Sequence, residues 1–287
     1  MEKKIIFITG ANRGIGKETA TGLAKQGHHL VLHGRNKALL QDVSEEIKTA
    51  TGNNEVDIIM ADLYSLADVK RMTDAFKSRY ERPDVLINNA GAMLGRHREV
   101  TSEGYEKTMT INLFAPFLIM HAMKPVLLKS DSPRIINVSS AMYRYGGRPD
   151  FNDFQFEKNY SPMRAYSLSK LYLIWVTRHL DSQLKMRGVD NVTVNTLHPG
   201  AVATNFAQDA DKGFMINQIY KFALRFMDKP VDGAKTSIYL ATSPDVKNVS
   251  GAYFSKKGKI EKANDRYWSP ENEKLIWDYC SGIIKKY

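Results

Sequence analysis

The stretch Phe7–Ala20, FITGANRGIGKETA, decides the fold, because it places Gly10, Gly14 and Gly16 inside a run that otherwise reads as a helix. Each glycine costs a helix about 1 kcal/mol relative to alanine, so something other than helix stability favours the missing side chains. The run follows the β-formers KIIFIT and leads into a helical stripe in which Ile15, Thr19 and Leu23, with Ala20 and Ala24, recur at intervals of three and four. Strand, side-chain-poor turn and helix in that order aim backbone amides and the positive helix end at an anion, and the pyrophosphate of a dinucleotide is the anion that suits them. A Cβ at Gly14 would block its approach, and Gly16 lets the helix close on the strand.

Outward from this turn, short β-branched runs alternate with amphipathic segments to the end of the chain. Seven strands are expected, at KIIFIT, HLVLHG, VDIIMAD, DVLINNA, RIINVSS, VTVNTLHPG and GAYFSK. Continuously apolar strands separated by helices imply a mostly parallel sheet covered on both faces, an α/β doubly wound fold. At 287 residues, with no repeat, low-complexity tract or linker, residues 1–287 read as a single domain. The least regular stretches, near 143–164 and 205–229, are expected to be substrate lids.

Composition bounds the function. Apolar residues make up 43 % and charged residues 25 %, as in ordinary globular proteins. A net charge of +10 is scattered along the chain and not gathered into an aromatic-laced stripe, so no nucleic-acid partner is expected. The single cysteine, Cys280, fits a reducing compartment, and no CxxC or HExxH spacing suggests a metal. The longest apolar run, Leu113–Met123, falls short of the ~20 residues that span a bilayer. MEKKIIFITG enters a strand with no small-residue cleavage site. No transmembrane anchor and no signal peptide are expected, and the location expected is cytoplasmic. ENEKLIWDYCSGIIKKY sets Leu275, Ile276, Tyr279, Cys280 and Ile283 on one helical stripe, expected to dock on the domain.

Several residues carry chemistry on their own. AYSLSKLYLIWVTRHL reads as a helix, so Tyr166 and Lys170 project one turn apart from the same face. An ammonium beside a phenol, with an oxidised nicotinamide, favours phenolate and brings the phenol nearer neutrality, suiting Tyr166 for general acid-base work. Tyr253 and Lys257 share the spacing, but on an extended strand four residues span about 13 Å, too far to cooperate. Ser139 and Ser140 close an apolar strand at the ligand edge of the sheet and face opposite ways, so one of the two can reach a ligand there. Pro116 lacks the N–H that would bond the carbonyl of Asn112 four residues back. At the end of the second strand, LHGRN offers Arg35 and no carboxylate, and Arg13 adds a charge inside the glycine turn. Arginines there call for a 2′-phosphate, so NADP(H) is expected.

TGANRGIG, Asp62, NNAG (88–91), Asn112, NVSS (137–140), YSLSK (166–170) and HPG (198–200) occur in one order, and over nearly its whole length the chain resembles the short-chain dehydrogenase/reductase family. HPG-x3-T, the loop ending FEKNYSPMRAY and the tail LIWDYC resemble its retinol-dehydrogenase-like branch. The resemblance implies a Rossmann fold with a seven-stranded sheet. It implies a catalytic set of Asn112, Ser140, Tyr166 and Lys170, the Asn112 carbonyl holding a water linked to Lys170. For the cofactor it implies Gly10, Asn12, Arg13, Gly14, Ile15 and Gly16 in the turn, Arg35 and Asn36 after the second strand, Asp62 and Leu63 at the adenine, and Asn89, Ala90 and Gly91 along the dinucleotide. Tyr166, Lys170, Pro199, Gly200, Val202 and Thr204 complete that set. Asn88 and His198 are expected to be structural.

The expected activity is NADPH-dependent reduction of a carbonyl, or its reverse, on a small lipophilic aldehyde, ketone or alcohol. Met142, Tyr143, Tyr145, Phe206, Phe214, Met215, Ile219, Tyr220 and Phe226 in the two irregular stretches either line such a substrate or pack the lids onto the core. Retinoid, steroid, fatty aldehyde and xenobiotic ketone fit equally. A non-catalytic NADP(H) sensor would not require the full set of four; a serine hydrolase would want Gly-x-Ser-x-Gly, which is absent. The family resemblance implies a homodimer or homotetramer.

Overall fold

A computed structural model describes residues 2–202 and 228–287. The expected strands form as β1 (Ile5–Ile8), β2 (His29–Gly34), β3 (Val56–Met60), β4 (Val85–Asn88), β5 (Arg134–Val138), β6 (Thr193–Leu197) and β7 (Tyr253–Phe254), followed by β8 (Ile260–Glu261). The sheet runs β3-β2-β1-β4-β5-β6-β7-β8, parallel except for the antiparallel β7–β8 pair. It therefore has eight strands among the described residues where the sequence suggested seven. The eighth escapes a periodicity reading because it is two residues long and returns directly from the turn after β7.

Side-chain alternation along the strands divides the core in two. Phe7, Val31, Leu86, Ile135 and Val194 point to one face, while Ile6, Ile8, Leu30, Leu32, Val85 and Ile87 point to the other. The second face packs on α1 (Gly14–Ala24) and α2 (Lys37–Thr51), whose Leu23 and Leu40 are fully buried. The first face packs on α3 (Leu66–Arg79) and α4 (Ala115–Leu127), and on α5 (Pro162–Met186). Beyond the undescribed segment come α6 (Pro230–Thr242), on the α1 side, and α7 (Pro270–Ile284).

A short helical turn, Lys107–Met109, and a π turn, Thr110–Phe114, lead into α4. The proline expected to disturb this helix at Asn112 sits at the second position of α4, and the backbone is widened just before it: Ala115 N–H reaches back five residues to Thr110 O. Taken together, Lys107–Leu127 is long and apolar enough to cross a membrane, yet 72 % of the apolar window is buried within the fold. On α7, Ile276, Cys280 and Ile283 are buried against the first face and Tyr279 packs partly buried beside them, while Leu275 is exposed, so four of the five residues of the expected stripe make the contact.

The segment near 143–164 covers the first core. Phe151 stacks on Trp175, Phe154 meets Tyr172 and Tyr279, and Phe156 is 2 % exposed. Tyr143 packs edge-on against Tyr253 and accepts a hydrogen bond from Asn264 N, whereas Tyr145 faces solvent. These aromatics hold the segment to the domain, because burying their rings outweighs exposing them over a cleft.

Candidate active site

Topology dictates where a ligand can sit. Strand order reverses between β1 and β4, and the crevice at the carboxyl ends of these strands opens beside the glycine turn. Gly10 and Gly14 hold left-handed φ of 66° and 56°, which lets the chain turn sharply into α1. A Cβ on Gly16 would lie 2.2 Å from Gly10 O and 2.5 Å from Asn89 Nδ2, so only glycine permits this closeness of helix and turn.

The turn is fixed from two sides. Asn89 Nδ2 donates to Thr9 O and Gly10 O, and Thr9 Oγ1 accepts from both Asn89 N and Ala90 N. His33, buried at the end of β2, accepts from Gly10 N on Nδ1 and, in the tautomer this requires, donates from Nε2 to Ala61 O. Burial pushes its pKa down to about 4, so the ring is neutral at pH 7. Sequence reasoning passed over His33, since a histidine in an apolar strand gives no signal beyond its neighbours.

Two cavities open on this edge. The first, about 570 Å³, is lined by Gly10, Asn12, Arg13, Gly14, Ile15, Gly16, Arg35, Asn36, Asp62, Leu63, Asn89, Ala90 and Gly91 among others. Asn36 also caps α2 by accepting from Leu39 N, and Asp62 accepts from Tyr64 N. The second, about 740 Å³, is lined by Ser140, Tyr166, Lys170, Pro199, Gly200 and Val202, with Met142 and His198. Ile15, Asn89, Gly91 and Met93 line both. Thr204, the residues 205–227 of the second expected lid, and the aromatics from Phe206 to Phe226 lie outside the described residues.

The residues expected to act converge. Tyr166 and Lys170 are 5 % and 3 % exposed on α5, with Lys170 Nζ 6.0 Å from the centre of the Tyr166 ring. Lys170 Nζ donates to Val138 O at 2.9 Å. Ser139 Oγ donates to Lys170 O and so faces the helix, while Ser140 lines the cavity, accepts from Met142 N and lies in hydrogen-bonding reach of Tyr166. Asn112, in the π turn, accepts from Ala92 N and donates to Ala92 O and to Ser169 Oγ. Ser169 in turn donates to Tyr166 O, a tie between Asn112 and α5 that the sequence did not suggest.

Burial governs the titration of the phenol and the amine. Burial raises the Tyr166 pKa to about 12, against a smaller lowering by the Ser140 hydrogen bond, and burial lowers Lys170 to about 7. In a dry site each group is pushed towards its neutral form, and at pH 7 Tyr166 is a protonated phenol. His198 N donates to Phe254 O and its ring stacks on Tyr253, and Asn88 Nδ2 donates to Asn137 Oδ1.

The cradle fits a dinucleotide. A Cβ at Gly91 would meet Asn112 Oδ1 at 2.8 Å and Lys170 Nζ at 2.9 Å, so glycine there lets the end of β4 close on Asn112 and Lys170 beside the cleft. The α1 N-terminus and two arginines line the first cavity.

Comparison with known proteins agrees with this architecture. The family model for short chain dehydrogenases matches residues 4–213. Human retinol dehydrogenase 14 is 34 % identical over 99 % of this chain and 87 % of its own, and mouse retinol dehydrogenase 13 is 35 % identical over 98 % and 84 %. Among solved structures, a blue fluorescent protein from a metagenomic library, in complex with NADPH, is 29 % identical, covers 88 % of this chain and 95 % of its own, and superposes with a TM-score of 0.68. The chain belongs to the short-chain dehydrogenase family of NAD(P)(H)-dependent oxidoreductases, and within it to the retinol-dehydrogenase-like branch.

Proposed function

We propose that the protein is an NADPH-dependent carbonyl reductase, working reversibly as an alcohol dehydrogenase, on a lipophilic aldehyde, ketone or alcohol. The observation that carries this reading is the sharing of one cavity by Ser140, Tyr166 and Lys170, bordering the glycine-turn cleft at Ile15, Asn89 and Gly91. The dinucleotide would be held by Gly10, Asn12, Gly14, Ile15 and Gly16, by Asp62 and Leu63, by Asn89, Ala90 and Gly91, and by Pro199, Gly200, Val202 and Thr204. Arg13, Arg35 and Asn36 would receive the 2′-phosphate; no carboxylate follows β2, which supports NADP(H) over NAD(H). Bound there, the cofactor supplies a hydride to the carbonyl carbon.

The chain's own groups handle the oxygen. Ser140 donates to the substrate oxygen and orients it, and Tyr166, protonated at neutral pH, gives that oxygen its proton as charge develops. Lys170, close to its titration point, returns a proton towards Tyr166, with Asn112 anchoring the segment around Ala92 beside it. Retinol dehydrogenases act, by their name, on a lipophilic alcohol, and Val138, Ala141 and Met142 give the cavity an apolar part, which supports that substrate class.

A panel of lipophilic aldehydes and ketones, scored by loss of reduced-nicotinamide absorbance, tests the reading. Turnover with NADPH well above NADH is expected, and Arg35→Asp should weaken NADPH much more than NADH. Equal losses for both cofactors would defeat the 2′-phosphate assignment, and NADPH binding without turnover of any carbonyl would favour a sensor.

A further inference from the structure

The cavity that holds Ser140 and Tyr166 is not uniformly apolar. The turn from β7 to β8, Ser255–Lys259 (SKKGK), contributes Lys256 and Lys257 to its lining, and β8 contributes Glu261. This turn is a built feature. Ser255 N and Ser255 Oγ both donate to Lys259 O, Gly258 N donates to Ser255 O, and Thr236 Oγ1 ties Ser255 O to α6.

Most charges in the lining are accounted for. Lys256 Nζ lies 2.7 Å from Asp228 Oδ2, Glu261 lies 3.5 Å from His198 Nε2 and 3.8 Å from Arg144, and Lys170 is held by Val138 O. Among the described residues, Lys257 alone of the lining lysines has neither a carboxylate nor a carbonyl partner. Lys257 is exposed on a turn whose backbone is tied to α6, and an ammonium so placed beside an apolar wall can receive an anion carried on an otherwise apolar molecule.

We propose that the substrate is amphipathic, an aliphatic aldehyde or ketone bearing a carboxylate at its distal end, with Lys257 receiving that carboxylate while the carbonyl reaches Ser140 and Tyr166. This rests on the reductase reading and narrows it from lipophilic carbonyls at large to ω-oxo acids and their like. Lys257, which shares the Tyr-x3-Lys spacing with Tyr253, thereby acts on specificity and takes no part in proton transfer.

Paired probes of equal chain length test this: nonanal and 9-oxononanoate, each with saturating NADPH. The wild-type protein should prefer the oxo acid in kcat/KM, and Lys257→Gln should cut the oxo-acid to aldehyde ratio about three- to fivefold, the worth of one solvent-exposed ion pair. Lys257→Glu should cut it further, with the change falling on KM for the oxo acid. A wild-type protein that reduces nonanal without favouring the oxo acid, or a ratio unmoved by both variants, overturns the inference and leaves the reductase reading standing. A Lys257→Gln loss confined to KM for NADPH also overturns it, assigning the lysine to the dinucleotide. Failure to turn over either probe while NADPH binds overturns both.

Discussion

At Tyr166 and Lys170, dehydration decides protonation. Lys170 has a folded pKa near 7 against an ordinary 10.5, so between these values the unfolded chain holds a proton that the folded chain has shed. Stability of the dinucleotide-free protein therefore rises with pH through that window, and the burial penalty is fully present below it. Lys170→Met removes the titration: the Tm of wild type minus that of the variant should climb as pH goes from about 7 to 9, in thermal melts without cofactor. A difference that stays flat across that range would mean the ammonium is solvated or paired in the fold. The four residues of the proposed catalytic set were legible as letters in order. The push of Tyr166 and Lys170 towards their neutral forms was not, because a spacing of four states adjacency and says nothing of how dry the site is.

At the scale of elements, the glycine turn was the most legible part of the chain, since three glycines between a strand and a helix have few physical explanations. The clamps that hold it were illegible: His33 and Asn89 act across 23 and about 80 residues of sequence, and no local pattern reports such pairs. Close packing at Gly16 makes a specific demand. Gly16→Val would drive a side chain into Gly10 O and the Asn89 amide, and should cost about 3 kcal/mol in chemical denaturation and weaken NADPH binding with it. A variant as stable as wild type would mean that α1 can withdraw from the turn. The stretch near 143–164 shows the opposite limit: Met142 and Tyr143 read alike in the sequence, yet Met142 lines the second cavity while Tyr143 is buried against Tyr253.

At the scale of the whole molecule, the alternation of strands and helices specified a parallel doubly wound sheet, and the two apolar faces of that sheet are what the alternation encodes. The β8 edge was hidden by its brevity. The C-terminal helix α7 completes the first core, so Ile276→Ala, at a fully buried position, should lower stability by about 2–4 kcal/mol, read as a lower midpoint in denaturant. An unchanged midpoint would mean that α7 docks without contributing to the fold.

The sheet, its glycine turn and α5 exist, on the proposal made here, to bring one phenol beside a reduced nicotinamide. Steady-state turnover of Tyr166→Phe, alongside its NADPH dissociation constant, measures that most directly. The variant should lose about 10²-fold or more in kcat while binding NADPH as wild type does. Full turnover by the phenylalanine variant would contradict the assignment.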